Sequence, residues 1–167
     1  MSLPDPNLAP ALHPVRLPDE TATAAFGAAL AAALRPGDCV TLTGPLGAGK
    51  SALARAVIRA ALGAPGLEVP SPSYTLVNVY GEGDGPEIWH ADLYRLGSAE
   101  EALELGLDEA LSEAILLIEW PDRMGTALPA RRLEITIEVA PDEARLLTLT
   151  PVGPGWAAIA AAPEDRP

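Results

Sequence analysis

The sequence predicts a single α/β domain, in which helices flank a mainly parallel sheet and an antiparallel hairpin is added late in the chain. Three patterns indicate this fold class. A β-rich run at 39–43 leads into a glycine-rich turn and then into a helix. A continuous apolar run at 114–118 is typical of a strand that is buried on both faces. Apolar and polar residues alternate from 132 to 139, as they do in a half-exposed strand.

Length and composition indicate the domain boundaries. The 167 residues suffice for one domain, and a hydrophobic fraction of 49% is enough to build its core. Residues 1–14 hold four prolines without a periodic pattern, so we expect a disordered leader there, followed by the domain at 15–162 and a frayed tail at 163–167. No apolar run approaches the ~20 residues of a membrane span, and no signal pattern is present. We therefore expect no membrane partner and a cytoplasmic location.

The first elements are a short edge strand and a helix. Residues 15–17 predict the strand, and Asp19 is an N-cap residue for a helix that runs to about Leu34. Apolar side chains recur every four residues along this helix, at Phe26, Leu30 and Leu34, and predict its buried stripe. The Pro36-Gly37 pair ends the helix.

The remaining elements follow in chain order. We predict a strand at 39–43, a turn at 44–49, a helix at 50–62, a loop at 63–72, strands at 75–80 and 87–92, a helix from 99 to about 105, a strand at 114–118 that ends in Glu119, and a hairpin whose second strand is 145–150. A capping-box pattern at 98–101 opens the third helix. The lone cysteine, Cys39, excludes an internal disulfide and is expected in the core.

The turn at 44–51 reads GPLGAGKS and matches the pattern G-x-x-x-x-G-K-[ST] in full. Its glycines allow the backbone to curl until successive N–H groups point inward at an anion. The helix that starts near Lys50 adds the positive end of its dipole. Lys50 would place a point charge on the outer phosphates, and the Ser51 hydroxyl can bind Mg²⁺. Because a strand precedes the turn and a helix follows it, the sequence predicts a P-loop NTPase domain.

The net charge of the chain limits the kinds of partner that it can bind. Eleven basic residues oppose 23 acidic ones, which gives a net charge of −12 at pH 7. Most of this surface would repel a phosphate backbone, so tight unaided binding to DNA or RNA is disfavoured. Ten of the eleven basic residues are arginine, and the one lysine is Lys50. A polyphosphate would therefore be attracted locally at the turn, against the field of the whole protein.

Two carboxylates end predicted strands, where ligands of α/β sheets gather. Asp92 ends the strand at 87–92, and Glu119 follows an apolar strand, as the acid of a Walker B segment does. Glu119 could hold the Mg²⁺ shell or orient an attacking water. Both residues could instead be ordinary strand-end acids. His90 points to the same side of its strand as Asp92, but too few other ligands exist for a metal pair, so a structural role is favoured.

Two further features concern the ligand. The polar loop SPSYT at 71–75 could close over a γ-phosphate, or it could be an ordinary connection. Trp120 could line the nucleotide pocket, or it could simply pack against neighbouring residues.

A Ras-like guanine pocket usually contains an Asn-Lys-x-Asp segment, which cannot occur here because the sole lysine is already used. ATP is therefore favoured over GTP by elimination.

Six segments in this order resemble the bacterial TsaE family, also called YjeE, over roughly residues 15–150. They are PDET (18–21), GPLGAGKS (44–51), SPSYTLV (71–77), HADLYRL (90–96), ELGLDE (104–109) and LIEWPDR (117–123). The sequence departs from the family pattern at three positions. Pro45 replaces the usual Asp and removes one backbone donor, Ser51 replaces Thr but keeps the hydroxyl, and Ser73 stands where Thr is common.

The resemblance implies an ATPase that supports threonylcarbamoyladenosine synthesis in tRNA, next to the anticodon, through the partner proteins TsaD and TsaB. The tRNA would be reached only indirectly, through that complex. By position, the resemblance gives Lys50, Asp92, Glu119 and Thr75 catalytic roles and gives Mg²⁺ to Ser51, Asp92 and Glu119. It places ATP against Glu20, Leu46, Gly47, Ala48, Gly49, Lys50, Ser51, Ala52 and Trp120.

Two other functions stay open on the sequence. A small-molecule kinase would share the P-loop but would need an acceptor pocket and an arginine-rich lid, for which the segment 121–132 is short. A binding module gated by the nucleotide would need ATP occupancy but not hydrolysis. Arg95 and Arg123 are candidates for an arginine finger, which a partner could also supply.

Overall fold

The structure is a computed structural model that describes residues 14–81, 83, 86–156 and 159. The predicted leader, apart from Pro14, and the predicted tail at 163–167 lie outside the described residues. The described chain forms one seven-stranded sheet with helices on both faces. None of the helices in these ranges is long and apolar enough to cross a membrane.

The sheet contains β1 (Val15–Leu17), β2 (Cys39–Thr43), β3 (Val77–Tyr80), β4 (Glu87–Asp92), β5 (Ala114–Glu119), β6 (Arg132–Val139) and β7 (Arg145–Val152). Their spatial order is β1-β7-β6-β2-β5-β4-β3. The four central strands, β6, β2, β5 and β4, are parallel. Antiparallel pairs extend the sheet at both edges, through β7 and β1 on one side and β3 on the other. The predicted fold class and the late hairpin are confirmed.

The helices are α1 (Glu20–Ala33), α2 (Lys50–Ala61), α3 (Ala99–Glu104) and α4 (Leu107–Ala110), with a 3₁₀ segment at Pro121–Ala127. The Asp19 carboxylate caps α1 by accepting from the Ala22 N–H at 2.8 Å. Ser98 accepts from the Glu101 N–H at 3.4 Å, but the Glu101 carboxylate accepts from Gly97 rather than from Ser98. The sequence analysis did not predict α4 or the 3₁₀ segment.

Strand β3 begins two residues later than predicted, because the chain turns sharply just before it. Leu76 adopts a left-handed φ of 68°, which an extended strand cannot contain. Its N–H donates to the Pro72 carbonyl at 2.8 Å, and its carbonyl accepts from the Asp92 N–H at 2.9 Å. The polar loop at 71–75 is thereby fastened to the end of β4.

Buried side chains form two clusters, one on each face of the sheet. Ile115 and Leu117 belong to the cluster under α1 and α2, whereas Leu116 and Ile118 belong to the cluster under α3 and α4. This alternation explains the continuous apolar run of β5, which is buried along its whole length. Cys39 is a free, fully buried thiol, as predicted, and burial raises its pKa to about 12 despite the opposing charge of Arg132.

Helices α1 and α2 approach each other closely at Gly27, which is buried in the middle of α1. A Cβ atom at this position would lie 2.5 Å from the Ala56 Cβ and 3.0 Å from the Ala56 carbonyl carbon. No side chain larger than hydrogen fits without moving one helix. The contact matters for function because α2 begins at the glycine-rich turn.

We predict that Gly27→Ala destabilises the protein by about 1–3 kcal/mol, because overpacking outweighs the better helix propensity of alanine. Urea unfolding would measure the change in the free energy of unfolding. Ala25→Gly, at an exposed position of α1, is the control and should cost only the propensity difference of about 1 kcal/mol. Adding Ala56→Gly should partly rescue Gly27→Ala. A Gly27→Ala protein more stable than the wild type would contradict the close contact.

Candidate functional site

The glycine-rich turn lies at the carboxyl end of β2, where α2 begins. Gly47 and Gly49 adopt left-handed φ angles of 80° and 105°, which favour glycine. Gly44 needs glycine for a different reason, since its Cβ would lie 2.6 Å from the Ile137 carbonyl oxygen. No side chain of the described residues caps α2 at Gly49. The first N–H groups of α2 are therefore available to an anion.

The Lys50 side chain folds back across the turn and is buried. Its Nζ donates to the carbonyl oxygens of Gly44 at 2.6 Å and Pro45 at 2.9 Å. The ammonium also lies 4.4 Å from the centroid of the Trp120 ring. Burial lowers the pKa of Lys50, whereas the charges of Glu119 and Asp92 oppose that shift. Pro45 gives up a backbone donor, but its carbonyl holds the lysine over the turn.

Glu119 lies directly beside Ser51. The Ser51 Oγ is 3.0 Å from Oε1 and 3.1 Å from Oε2 of the Glu119 carboxylate, which is 2% exposed. Strand register produces this contact, because Glu119 pairs with Leu42 of β2, two residues before the turn. Asp92 is the register partner of Glu119 on the other side, in β4. The predicted pair of strand-end carboxylates therefore meets at the edge of the sheet that carries the turn.

Asp92 is held by the loops around it. Its Oδ1 accepts from the Tyr94 N–H at 3.0 Å, and its Oδ2 lies 3.5 Å from the Ser73 Oγ. Ser73 in turn lies 2.8 Å from Ser71. Thr75 is exposed, and its hydroxyl donates to Asn78 on β3 at 2.9 Å. The polar loop at 71–75 thus reaches the site through Ser73, and the role of Thr75 stays a prediction.

His90 of β4 contacts the same carboxylate. Its Nε2 lies 2.6 Å from the Glu119 Oε2, and the side chain is 1% exposed. The Nδ1 atom has no hydrogen-bond partner among the described residues. Sequence reasoning placed His90 near Asp92 because of strand alternation, but it missed the link to Glu119. That link joins two strands 29 residues apart, and no local pattern signals it.

The donor set suits Mg²⁺ together with a phosphate ligand. Within the described ranges, no three His, Cys, Asp or Glu residues cluster so that they could hold a metal alone. Ser51 and Glu119 instead offer a hydroxyl and a buried carboxylate within 3.1 Å of each other, with Asp92 alongside. Mg²⁺ is usually bound by one or two carboxylates, with water and substrate phosphates completing its shell. These oxygen donors fit that requirement.

A pocket of about 200 Å³ adjoins the turn on the side of β1, α1 and the β6–β7 hairpin. Glu20, Ala48, Gly49 and Ala52, four of the predicted nucleotide contacts, line this pocket, and their role in binding stays a prediction. Arg145 at the start of β7 also lines it, and its Nε would lie 3.5 Å from a Cβ at Gly49. The sequence analysis missed Arg145, because a single arginine that begins a hairpin strand carries no motif.

Leu46 and Trp120 lie at the open side of the turn. Leu46, at the tip of the turn, is 71% exposed. The Trp120 ring centroid is 4.9 Å from that of Tyr94, and its indole faces the Lys50 ammonium. The two arginine-finger candidates lie nearby over tyrosine rings, Arg95 at 4.2 Å from Tyr74 and Arg123 at 5.9 Å from Tyr94.

The chain is similar in sequence to known proteins. A sequence model of the family described as "Threonylcarbamoyl adenosine biosynthesis protein TsaE" matches residues 17–147. The "tRNA threonylcarbamoyladenosine biosynthesis protein TsaE" of Rickettsia bellii is 39% identical over 134 residues, which are 80% of this chain and 92% of that protein. The protein of the same name from Streptomyces coelicolor is 40% identical over 138 residues, covering 79% of this chain and 92% of its own.

The fold is also similar to a solved structure. The crystal structure of Bacillus subtilis YdiB superimposes with a TM-score of 0.68 at 32% sequence identity, covering 84% of this chain and 86% of that chain.

Proposed function

The chain belongs to the TsaE family, and from this premise we propose that it binds and hydrolyses MgATP to sustain threonylcarbamoyladenosine modification of tRNA. One observation carries the proposal. The serine of the glycine-rich turn lies against a buried carboxylate on the neighbouring strand, and the single lysine folds over the same turn. This combination of an anion nest, a cation and an acid supports phosphoryl chemistry.

Binding would depend on groups that are already oriented. The N–H groups of the turn would surround the β- and γ-phosphates, and the Lys50 ammonium would move from the Gly44 and Pro45 carbonyls to phosphate oxygens. The Ser51 hydroxyl and the Glu119 carboxylate would hold Mg²⁺, with Asp92 supporting the ion or a water. When bound, Mg²⁺ would neutralise charge that develops on the β- and γ-phosphate oxygens.

Hydrolysis would be an in-line displacement at the γ-phosphorus. A water oxygen would bond to phosphorus while the bond to the β–γ bridging oxygen breaks and its electron pair remains on ADP. One proton of the water would pass to a γ-phosphate oxygen or to solvent, which gives ADP and inorganic phosphate. Glu119 and Asp92 would orient the water and the ion, and Lys50 would balance the negative charge of the phosphates. These contributions are mostly positional, so we expect slow turnover by the isolated protein.

The acidic surface affects how the protein could act on tRNA. A chain with net charge −12 would be repelled by tRNA, so we propose that it acts on tRNA indirectly, through the TsaD–TsaB pair, in the cytoplasm. Partner binding would then raise the turnover rate by ordering the loops around the site.

The kinase alternative is less well supported. Arg131 pairs with Asp38 at 2.7 Å and lies over the Trp156 ring, and Arg132 pairs with Glu134 at 2.8 Å. Two of the three arginines in the segment that could serve as a lid are therefore already held by the body of the domain.

The binding module gated by the nucleotide differs from the ATPase in one testable respect, namely whether hydrolysis is needed.

Calorimetry with MgATP tests the binding site. We predict that the wild type binds and that Lys50→Ala binds at least about 10-fold more weakly, because a charge-assisted contact to phosphate is lost. Lys50→Arg is the matched control for charge, and it should restore little because a planar guanidinium does not fit the space of an ammonium. Wild-type protein that gives no binding heat with MgATP would contradict the proposed function.

Reconstitution with TsaD, TsaB and tRNA tests hydrolysis. We predict that Glu119→Gln still binds ATP but loses about 10²- to 10⁴-fold in hydrolysis rate, because it removes the carboxylate that serves the ion and the water. Multiple-turnover modification should fall with it. Glu138→Gln, which changes an exposed acid on β6, is the control and should behave as wild type. Full modification by a Glu119→Gln protein that cannot hydrolyse ATP would favour the gated module instead.

Arg145 offers a test of where the nucleoside lies. The pocket that it lines extends from the turn towards β1 and α1, and a guanidinium there can stack on a base or bond to a ribose oxygen. We predict that Arg145→Ala weakens MgATP binding about 10-fold while magnesium tripolyphosphate binds unchanged. Lys50→Ala is the contrasting variant, because it should weaken both ligands. An equal loss for both ligands in Arg145→Ala would place Arg145 on the phosphates instead.

A further inference from the structure

A chain of polar contacts, buried at Glu119 and His90, runs through the site. The Ser51 hydroxyl, the Glu119 carboxylate and the His90 imidazole follow one another, with separations of 3.0 and 2.6 Å. The Glu119 and His90 side chains are both at most 3% exposed. Solvent therefore does not compete for the contact between His90 and Glu119, and the imidazole fixes the orientation of the carboxylate.

The atoms of His90 have unequal roles. A carboxylate only accepts hydrogen bonds, so the Nε2 that lies 2.6 Å from Oε2 must carry the hydrogen. In the neutral ring Nδ1 then bears a lone pair, and this atom has no partner among the described residues. An unsatisfied buried polar atom costs free energy that an apolar side chain would avoid. A purely packing role therefore does not explain why position 90 is a histidine.

We propose that His90 is a positioning residue for the bound magnesium ion, an inference that rests on the proposed function. Its Nε2–H holds the Oε2 oxygen of Glu119, which fixes the plane of the carboxylate and keeps both of its oxygens beside the Ser51 hydroxyl. His90 itself touches neither the ion nor ATP. Partners of this kind, which orient a metal-binding carboxylate, typically affect metal affinity or activity by 10- to 100-fold.

Two substitutions separate the hydrogen bond from the shape of the ring. Glutamine can place an N–H close to the position of Nε2, whereas asparagine is shorter and places its N–H near Nδ1. Leucine keeps bulk but removes both nitrogens. His90→Gln should therefore preserve the contact with Glu119, and His90→Asn and His90→Leu should lose it.

The magnesium dependence of ATP binding is the measurement, made by calorimetry over a series of Mg²⁺ concentrations. We expect His90→Leu and His90→Asn to raise the half-saturating Mg²⁺ concentration about 10- to 100-fold. His90→Gln should stay within about 3-fold of the wild type. ATP affinity in EDTA should change less than about 3-fold in every variant, because the turn and Lys50 remain intact. Thermal unfolding of each variant checks that it is folded.

A double-mutant cycle gives a second readout. In a Glu119→Gln background, His90→Leu should not change the magnesium dependence further, because the carboxylate that His90 orients is gone. Wild-type magnesium dependence in both His90→Leu and His90→Asn would overturn the proposal. So would an equal loss in His90→Gln and His90→Leu, which would indicate a packing role. Absence of ATP binding by the wild type would instead overturn the proposed function, so the two failures are distinguishable.

Discussion

The register of three parallel strands is the constraint on which the site depends. Leu42 of β2, Glu119 of β5 and Asp92 of β4 lie side by side in the sheet, so each strand delivers its last residues to one edge. The glycine-rich turn follows β2 immediately, and the Glu119 carboxylate therefore reaches Ser51. A slip of one residue in β5 would point Glu119 to the opposite face of the sheet. Because β5 packs into a different buried cluster on each face, such a slip would also require both clusters to repack.

Charge imposes a second constraint on this edge. The protein carries −12 overall, so the attraction for a polyphosphate that we propose for the turn would have to be short-ranged. The structure meets this requirement with backbone dipoles and one buried ammonium. Lys50 is held by two carbonyl oxygens and an indole rather than by a carboxylate. A direct ion pair with Glu119 would have tied up both groups, whereas the observed arrangement leaves each available to a ligand.

Local patterns were sufficient to predict much of the fold, and the tertiary contacts were not predictable from them. Strands β2 and β5, the cap at Asp19 and the glycine-rich turn all follow from short-range spacing, and the structure confirms their bounds. The late start of β3 depends on a left-handed Leu76, which no propensity favours. The contact of His90 with Glu119 and the approach of Arg145 to Gly49 join residues 29 and 96 positions apart. Such pairs arise from strand order, which sequence periodicity does not specify.

The backbone at Trp120 shows how tightly this edge is specified. The residue adopts φ 59° and ψ 54°, a left-handed conformation that costs a residue other than glycine about 1 kcal/mol or more. Neighbouring strands hold it on both sides: its N–H donates to Leu42 at 3.3 Å, and the Glu119 carbonyl accepts from Leu93 at 3.1 Å. A glycine would relieve the strain, but it would remove the indole that lies against Lys50. The strained backbone at Trp120 therefore keeps a carboxylate and an aromatic ring on adjacent residues. Glu119 contacts Ser51 of the glycine-rich turn, and Trp120 contacts Lys50.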